Sequence, residues 1–366
     1  MRTLDDLDVA NKRVLVRADL NVPLADGKIT DDFRIRAFRP TLDVLRERGA
    51  RVIVCSHLGR PKGVDPKFTL RPVADALDAP LVTDYSGLPD EPVVLLENLR
   101  FNEGETKNDP AFVELLVSMA DAYVNDAFGS SHRAHASIVG PPSKLPSAAG
   151  PLLAQEVENL SKLLDAAEHP YVVVIGGAKV ADKIGVLTNL IERADQICIG
   201  GGMCFTFLKA QGAEIGASIL DDTDVSALLA SRKLLLPTDV VAAESIDATT
   251  GSIAPAMSIP VELAGMDIGP DTRIAFGEAI RDAKTVFWNG PMGVFENDAF
   301  ADGTKAIAWM MSATKAYTVA GGGDAVAALN KFGFADKLDF VSTGGGASLE
   351  FLEGKKLPGI EALESA

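Results

Sequence analysis

Four apolar runs in the first half of the chain end in side chains able to hold an anion: VLVRADLNVP (14–23), VIVCSHLGRP (52–61), VVLLENLRF (93–101) and AYVNDAFGSSHRAH (122–135). They bring Arg17, Asp19, Asn21, His57, Arg60, Arg100, His132, Arg133 and His135 to the places where strands should stop, and three of the four histidines are among them. Any one of these could simply face water. As a set they point to a ligand, because like charges held together repel unless an anion answers them.

The second half has the same rhythm with different ends. Its runs YVVVIGGAKVADKIGVL (171–187), QICIGGGMCFTFL (196–208), AYTVAGGGDAVAAL (316–329) and DFVSTGGGASLEFL (339–352) break into glycines and then into helical patterns. A β-branched run ending in Gly-Gly reads as a buried parallel strand turning tightly into a helix. There, backbone N–H groups and the positive end of the helix dipole can meet phosphate. One such turn also serves plain strand–helix packing. Four in one half open toward one crevice, as strands of a parallel sheet do.

Lys179 and Lys183 are four apart, and on a helix beginning near Gly176–Gly177 they share a face. Two ammonium groups at a helix N-terminus gain nothing from the dipole, so an anionic ligand is the reason to expect them there. Asp324 follows Gly321–Gly323 and reads either as a plain helix cap or as one carboxylate on Mg2+, with phosphate oxygens and waters completing the shell. There is no GxxxxGK[ST] loop, no HRD and DFG pair, no GxSxG elbow and no His/Cys metal cluster. Phosphoryl transfer asks for positioning and charge neutralisation more than covalent chemistry from the protein. A carboxylate acceptor is already ionised at neutral pH, so no general base is needed. An acyl phosphate meeting a nucleotide across a cleft fits these residues.

The elements that must position them are βα units. At 366 residues the chain exceeds what one core usually supports, so two domains are expected. A hydrophobic content of 47% with 33 Gly and 20 Pro suits a soluble α/β protein. Helical patterns cover Asp31–Arg48 and Asp109–Ala120. The run PPSKLPSAAGP (141–151) then breaks the pattern and leads into a helix with Leu153, Val157, Leu160 and Leu164 at helical spacing. The expected fold is α/β: two doubly wound parallel-sheet (Rossmann-like) domains facing each other across a cleft. The first is 1–148, the linking helix 149–168 and the second 169–349, with a tail 350–366 packing back on the first domain. The segment 248–270 reads as surface strands and loops beside the second crevice.

Net charge is −16 and the pI about 4.7, which argues against nucleic acid as a partner. No apolar run approaches the ~20 residues of a membrane span, and the start, MRTLDDLDVANKRV, has no signal-type apolar region. Cys55, Cys198 and Cys204 lack metal-ligand spacing and read as buried reduced thiols of a cytoplasmic protein.

The runs RADLNVP (17–23), SHLGRP (56–61), ENLRF (97–101), NDAFGSSHRAH (125–135), GGAKVADKI (176–184), GGGMCFTFL (200–208), WNGPMGVFE (288–296), GGGD (321–324) and STGGGAS (342–348) resemble phosphoglycerate kinase. They occur in that family's order and span nearly the whole chain. The resemblance implies reversible transfer of the 1-phosphoryl group of 1,3-bisphosphoglycerate to MgADP, giving 3-phosphoglycerate and MgATP, by a monomer that closes about a hinge. It implies that Asp19, Asn21, Arg34, His57, Arg60, Arg100 and Arg133 hold the glycerate, with Arg17 supporting them, in part through a domain-spanning ion pair. It assigns nucleotide contacts to Gly177, Lys179, Lys183, Gly201, Ile219, Met266, Asn289, Pro291, Glu296, Gly322, Gly323, Asp324 and Ala325, with Asp324 toward the metal. Arg34, Lys179, Gly322 and Gly345 fall to the chemical step, and Trp288 to packing. Ala325 stands where the family commonly has Thr or Ser, and the chain is trimmed around 78–92 and 102–112, read as loops away from the strand ends. Two rivals remain at this point, a nicotinamide-dependent Rossmann oxidoreductase and a non-catalytic nucleotide-sensing module. The first lacks a clean GxGxxG, and both leave residues unexplained: the arginine cluster in the first case, Lys179 in the second.

Overall fold

Strands buried on both faces need a layer of helices on each side, and the chain supplies them by alternating the two elements. In the computed structural model, which describes residues 1–366, Met1–Glu158 and Lys356–Ala366 form one unit and Asn159–Lys355 another.

The first unit is built on a six-stranded parallel sheet. Its order is Leu81–Val82, Val93–Leu96, Arg51–Cys55, Arg13–Ala18, Ala122–Asp126, Ser147–Ala149. Strand direction of travel reverses beside Arg13–Ala18, and open α/β sheets bind ligands at such switch points. Val14, Val16, Val52, Val54 and Val124 pack on Phe38, Leu42 and Leu45 of helix Phe33–Glu47. Fully burying one such side chain contributes about 1.5–3 kcal/mol. The helix runs through Pro40, which removes one N–H from its ladder.

The second unit has a six-stranded parallel sheet ordered Leu234–Leu235, Gln196–Ile199, Tyr171–Ile175, Thr285–Asn289, Tyr317–Gly321, Phe340–Val341. Numbered along the chain this is 3-2-1-4-5-6, the doubly wound dinucleotide-fold order, whose switch point lies between Tyr171–Ile175 and Thr285–Asn289. Its core sets Val172, Val174, Val286 and Trp288 against Phe276, Ile280, Ile307 and Leu329. The segment 248–270 contributes Ser252–Pro255 and Ala264–Ile268 to a three-stranded antiparallel sheet with Asp239–Ala243.

Helix Pro151–Asp165 carries the chain from one unit into the other. Its buried stripe is Leu153, Glu156, Leu160 and Leu163, so Glu156 and Leu163 are buried where the apolar pattern selects Val157 and Leu164. Asp126 caps this helix from a strand end, its Oδ1 accepting from Leu152 N at 2.9 Å and Leu153 N at 3.1 Å. Burial pushes the Asp126 carboxyl up to about 6, against the pull of these hydrogen bonds. At the far end, helix Gly346–Leu352 stays with the second unit, where Asn189 Nδ2 donates to Leu352 O at 2.6 Å. The return begins at Lys356, and Gly359 N donates to Ser131 O at 2.9 Å in the first unit. No helix is long and apolar enough to cross a membrane.

Candidate active site

Parallel register aligns the ends of the central strands in the first unit. Arg17 pairs with Cys55 on one side and Asn125 on the other, so Asp19, His57 and the 127–135 loop emerge together. Arg17 lies beneath this surface, fully buried. Its Nε donates to Ser137 Oγ at 2.9 Å, and its other nitrogens reach Ala18 O at 2.5 Å, His57 Nδ1 at 3.1 Å and Ser130 Oγ at 3.4 Å. All these partners belong to the first unit, and none is a carboxylate. A guanidinium only donates, so His57 Nδ1 must accept and the ring proton sits on Nε2. Burial first, then the neighbouring Arg17, holds His57 well below the usual histidine range, and it is neutral at neutral pH.

Asp19 is ion-paired with Arg34. Burial alone would raise its carboxyl, but Arg34, His57 and Arg17 together bring it down to about 2. Its second oxygen, Oδ1, is buried and accepts nothing. Asn21 Oδ1 accepts from Gly59 N at 2.9 Å, and Arg100 donates to Gly59 O at 2.6 Å while its buried Nε is unpartnered. Arg60 and Arg133 are exposed, and neither takes part in an ion pair.

Glu105 escapes sequence reasoning. The stretch 102–112 reads as a trimmed loop away from the strand ends, yet it forms helix Gly104–Lys107 with Glu105 fully buried. The Glu105 carboxylate accepts from Ser137 N at 3.0 Å and Ser137 Oγ at 2.7 Å, the same hydroxyl that receives Arg17 Nε. Through that hydroxyl Glu105 balances the buried guanidinium. His135 Nδ1 lies 3.9 Å from Glu105, and burial followed by Arg100 and Arg17 lowers its pKa to about 4. An acidic residue among polar ones carries no local signal of such burial.

In the second unit, strand ends meet at the switch point. Gly176 N donates to Asn289 O at 2.9 Å, Gly177 N to Pro291 O at 3.0 Å, and Met203 N to Gly177 O at 3.0 Å. The approach leaves no room for a side chain. A Cβ on Gly201 would lie 2.5 Å from Gly177 N, and Gly177 itself has φ +118°. Asn289 is fully buried with both ends of its amide used, accepting from Lys183 Nζ and donating to Gly321 O at 2.6 Å. It thereby joins the lysine loop to the Gly321–Gly323 turn, where Gly322 (φ +92°) caps helix Gly323–Phe332.

Lys179 and Lys183 do not share a helical face. Helix Ile184–Leu190 begins after Lys183, its cap residue, and Lys179 lies in the loop before it. The positive φ at Gly177 and a carboxylate on Val180 N, from Asp221 at 2.7 Å, hold that loop out of helix. Lys179 is exposed, whereas Lys183 is largely enclosed. Burial lowers the Lys183 pKa to about 8, with Asp324 and Asp182 pulling the other way.

Asp324 is exposed in the first turn of its helix, while Ala325 is fully buried in the core. The Ala325 methyl therefore packs in the core and is not presented at the surface of the turn. Trp288 is packed inside with Nε1 donating to Gly290 O at 2.7 Å. Ile219 is exposed beside Gly202, and Met266 is nearly buried, its carbonyl accepting from Val294 N at 2.9 Å. Glu296 is exposed, and Gly345 (φ +54°) heads the last strand-to-helix turn. No cluster of three or more His, Cys, Asp or Glu side chains could hold a metal by itself.

The family model for phosphoglycerate kinase matches residues 4–355. The phosphoglycerate kinase of Deinococcus radiodurans is 53% identical over 99% of this chain and 94% of its own length. That of Thermus thermophilus is 50% identical, with full coverage of both. Among solved structures, phosphoglycerate kinase from Coxiella burnetii superposes with a TM-score of 0.90 at 41% identity, covering 99% of this chain and 98% of that one.

Proposed function

The chain belongs to the phosphoglycerate kinase family of phosphotransferases, and on that premise we propose that its first unit holds 3-phosphoglycerate and its second the adenine nucleotide. The observation that carries this partition is Asp19 Oδ1, a buried acceptor without a donor, standing beside Arg34 and neutral His57. A hydroxylated carboxylate phosphate offers such a set one hydroxyl for Asp19 and oxygens for the cations. The second unit offers backbone N–H groups at a helix start and two ammonium groups, which suit a polyphosphate. Neither rival, the oxidoreductase or the sensor, is favoured by this arrangement or by the relatives.

In the direction of ATP use, a carboxylate oxygen of 3-phosphoglycerate attacks the γ-phosphorus. The bond from that phosphorus to the β,γ-bridging oxygen breaks, and ADP leaves with the electron pair. The attacking oxygen is already ionised, so the protein moves no proton. Arg34 and Asn21 orient the acceptor, Lys179 follows the phosphoryl group, and the Gly322–Gly323 amides with Lys183 hold the phosphates. Asp324 fits Mg2+ that arrives with the nucleotide: its carboxylate is exposed beside the phosphate turn and near enough to act on Lys183. Bound there, the ion would neutralise phosphate charge. A coupled assay for nucleotide-dependent phosphorylation of 3-phosphoglycerate tests the proposal, and no turnover with both substrates present would end it.

Lys183 gives this site a pH dependence. Its proton is present below about 8 and lost above, and the protonated form is the one that attracts phosphate. ADP affinity should therefore fall roughly tenfold as pH rises from about 7.5 to 9.5, the scale of one charged hydrogen bond. Calorimetric titration of Lys183→Met should show weaker, pH-independent binding. The same slope in that variant would assign the titration elsewhere.

In-line transfer requires the reacting atoms within about 3–3.5 Å of each other, and water must be kept from an acyl phosphate. We infer that the units close when both ligands are bound, with 141–151, the helix that follows it and the turn at 342–346 absorbing the change. Solution scattering should give a smaller radius of gyration with both ligands than with either alone, and equal radii would refute closure. Both ligand sets lie on one chain, which supports action as a monomer. Three buried free cysteines suit a reducing cytoplasm.

A further inference from the structure

Nothing in the Lys179 side chain fixes where its ammonium sits, for it is exposed and makes no ion pair. The backbone behind it is fixed instead. Asp221 Oδ2 accepts from Val180 N at 2.7 Å, and Ala181 N stands 3.5 Å from the same oxygen. The residue after Lys179 is thus held by a charge-assisted bond, about twice as strong as a neutral one. Asp221 is in turn secured from the other side. Its Oδ1 accepts from Thr223 N at 2.9 Å, and its own N–H points to Thr206 Oγ1 at 3.4 Å, on helix Cys204–Ala210.

Two residues before Asp221 stands Ile219, assigned to the adenine slot. A Cβ on Gly202 would lie 2.6 Å from Ile219 Cγ2 and 3.1 Å from Ala178 O. The loop carrying Ile219 and the loop carrying Lys179 therefore approach a common point at Gly202, as well as meeting at Asp221.

We infer that Asp221 is a positioning residue that fixes the Lys179 loop against the wall of the base slot. This rests on the reading of Lys179 given above. Three residues, Val180, Ala181 and Asp182, lie between Lys179 and Lys183 outside any helix, and without the carboxylate that stretch has no side-chain hold on Val180 or Ala181. A loosened loop would leave phosphate binding through Lys183 and the glycine amides largely intact. What it would lose is the placement of Lys179 during transfer.

The test is a double-mutant cycle read in kcat and in ADP dissociation constant. Asp221→Ala should lower kcat about tenfold with ADP affinity changed by less than about threefold, since the loss falls on the transition state. In the Lys179→Ala background the same substitution should add nothing to the kcat loss, because an absent lysine cannot be misplaced. Asp221→Asn keeps an acceptor oxygen of the same reach and should recover most of the rate. If Asp221→Ala does not fold, the cycle is run with Asp221→Asn, whose smaller loss should likewise vanish without the lysine. Equal losses in both backgrounds overturn the inference while leaving Lys179 its role. A near-parent kcat in Lys179→Ala alone removes the reading of Lys179 and the inference together.

Discussion

Replacing Lys179 with alanine is expected to lower kcat by about two orders of magnitude or more, the usual scale for removing one electrostatic group aimed at a transition state. ADP affinity should change little. The division follows from exposure: Lys183 is enclosed and tied to Asn289, while Lys179 is free to move with the phosphoryl group. A cation that meets the phosphoryl mainly in flight lowers the barrier without tightening the ground state. Single-turnover measurement at saturating substrates reads this directly. A variant with near-parent kcat would take Lys179 out of the chemistry, and one with raised ADP KM and unchanged kcat would make it a plain binding residue.

Arg60→Ala and Arg133→Ala are expected to weaken 3-phosphoglycerate binding by about 10- to 100-fold each, the worth of a charge-assisted bond to phosphate or carboxylate. ADP titrations should be unchanged. Both guanidinium groups are exposed and lack an ion pair, so truncating them leaves no buried charge behind. This separates them from Arg17, whose loss would strip Ser137 and His57 of a buried donor and damage the fold as well. Sulfate should compete with 3-phosphoglycerate in the parent and less so in either variant. A parallel loss of ADP affinity would show that the two ligand sets are not divided between the units.

The chemistry of the strand ends was legible because it is local. A β-branched run followed by glycines or by arginine and histidine states where a strand stops and what its end presents. Parallel neighbours then gather those ends at one edge. The motifs along the chain carried the family resemblance, since they set residue types at fixed spacing. The comparisons agree with that reading over residues 4–355.

What the tertiary structure alone decided is how deep each side chain lies and which remote group holds it. Arg17 and Arg60 look alike in sequence, yet register between Arg13–Ala18 and its two neighbours buries the first and loop position exposes the second. Glu105 reads as a loop acid until Ser137, 32 residues away, closes on it. Lys179 and Lys183 share a helical face only if the backbone between them is helical, and a carboxylate 41 residues from Val180 holds it otherwise. Ala325 reads as a missing hydroxyl until its methyl is found in the core. Composition and spacing constrain a residue's neighbours along the chain, whereas burial and charge balance depend on neighbours brought in by the fold. The sequence therefore determined which chemistry this protein is built for, and packing determined which of its charged residues stand exposed at the strand ends and which are buried beneath them.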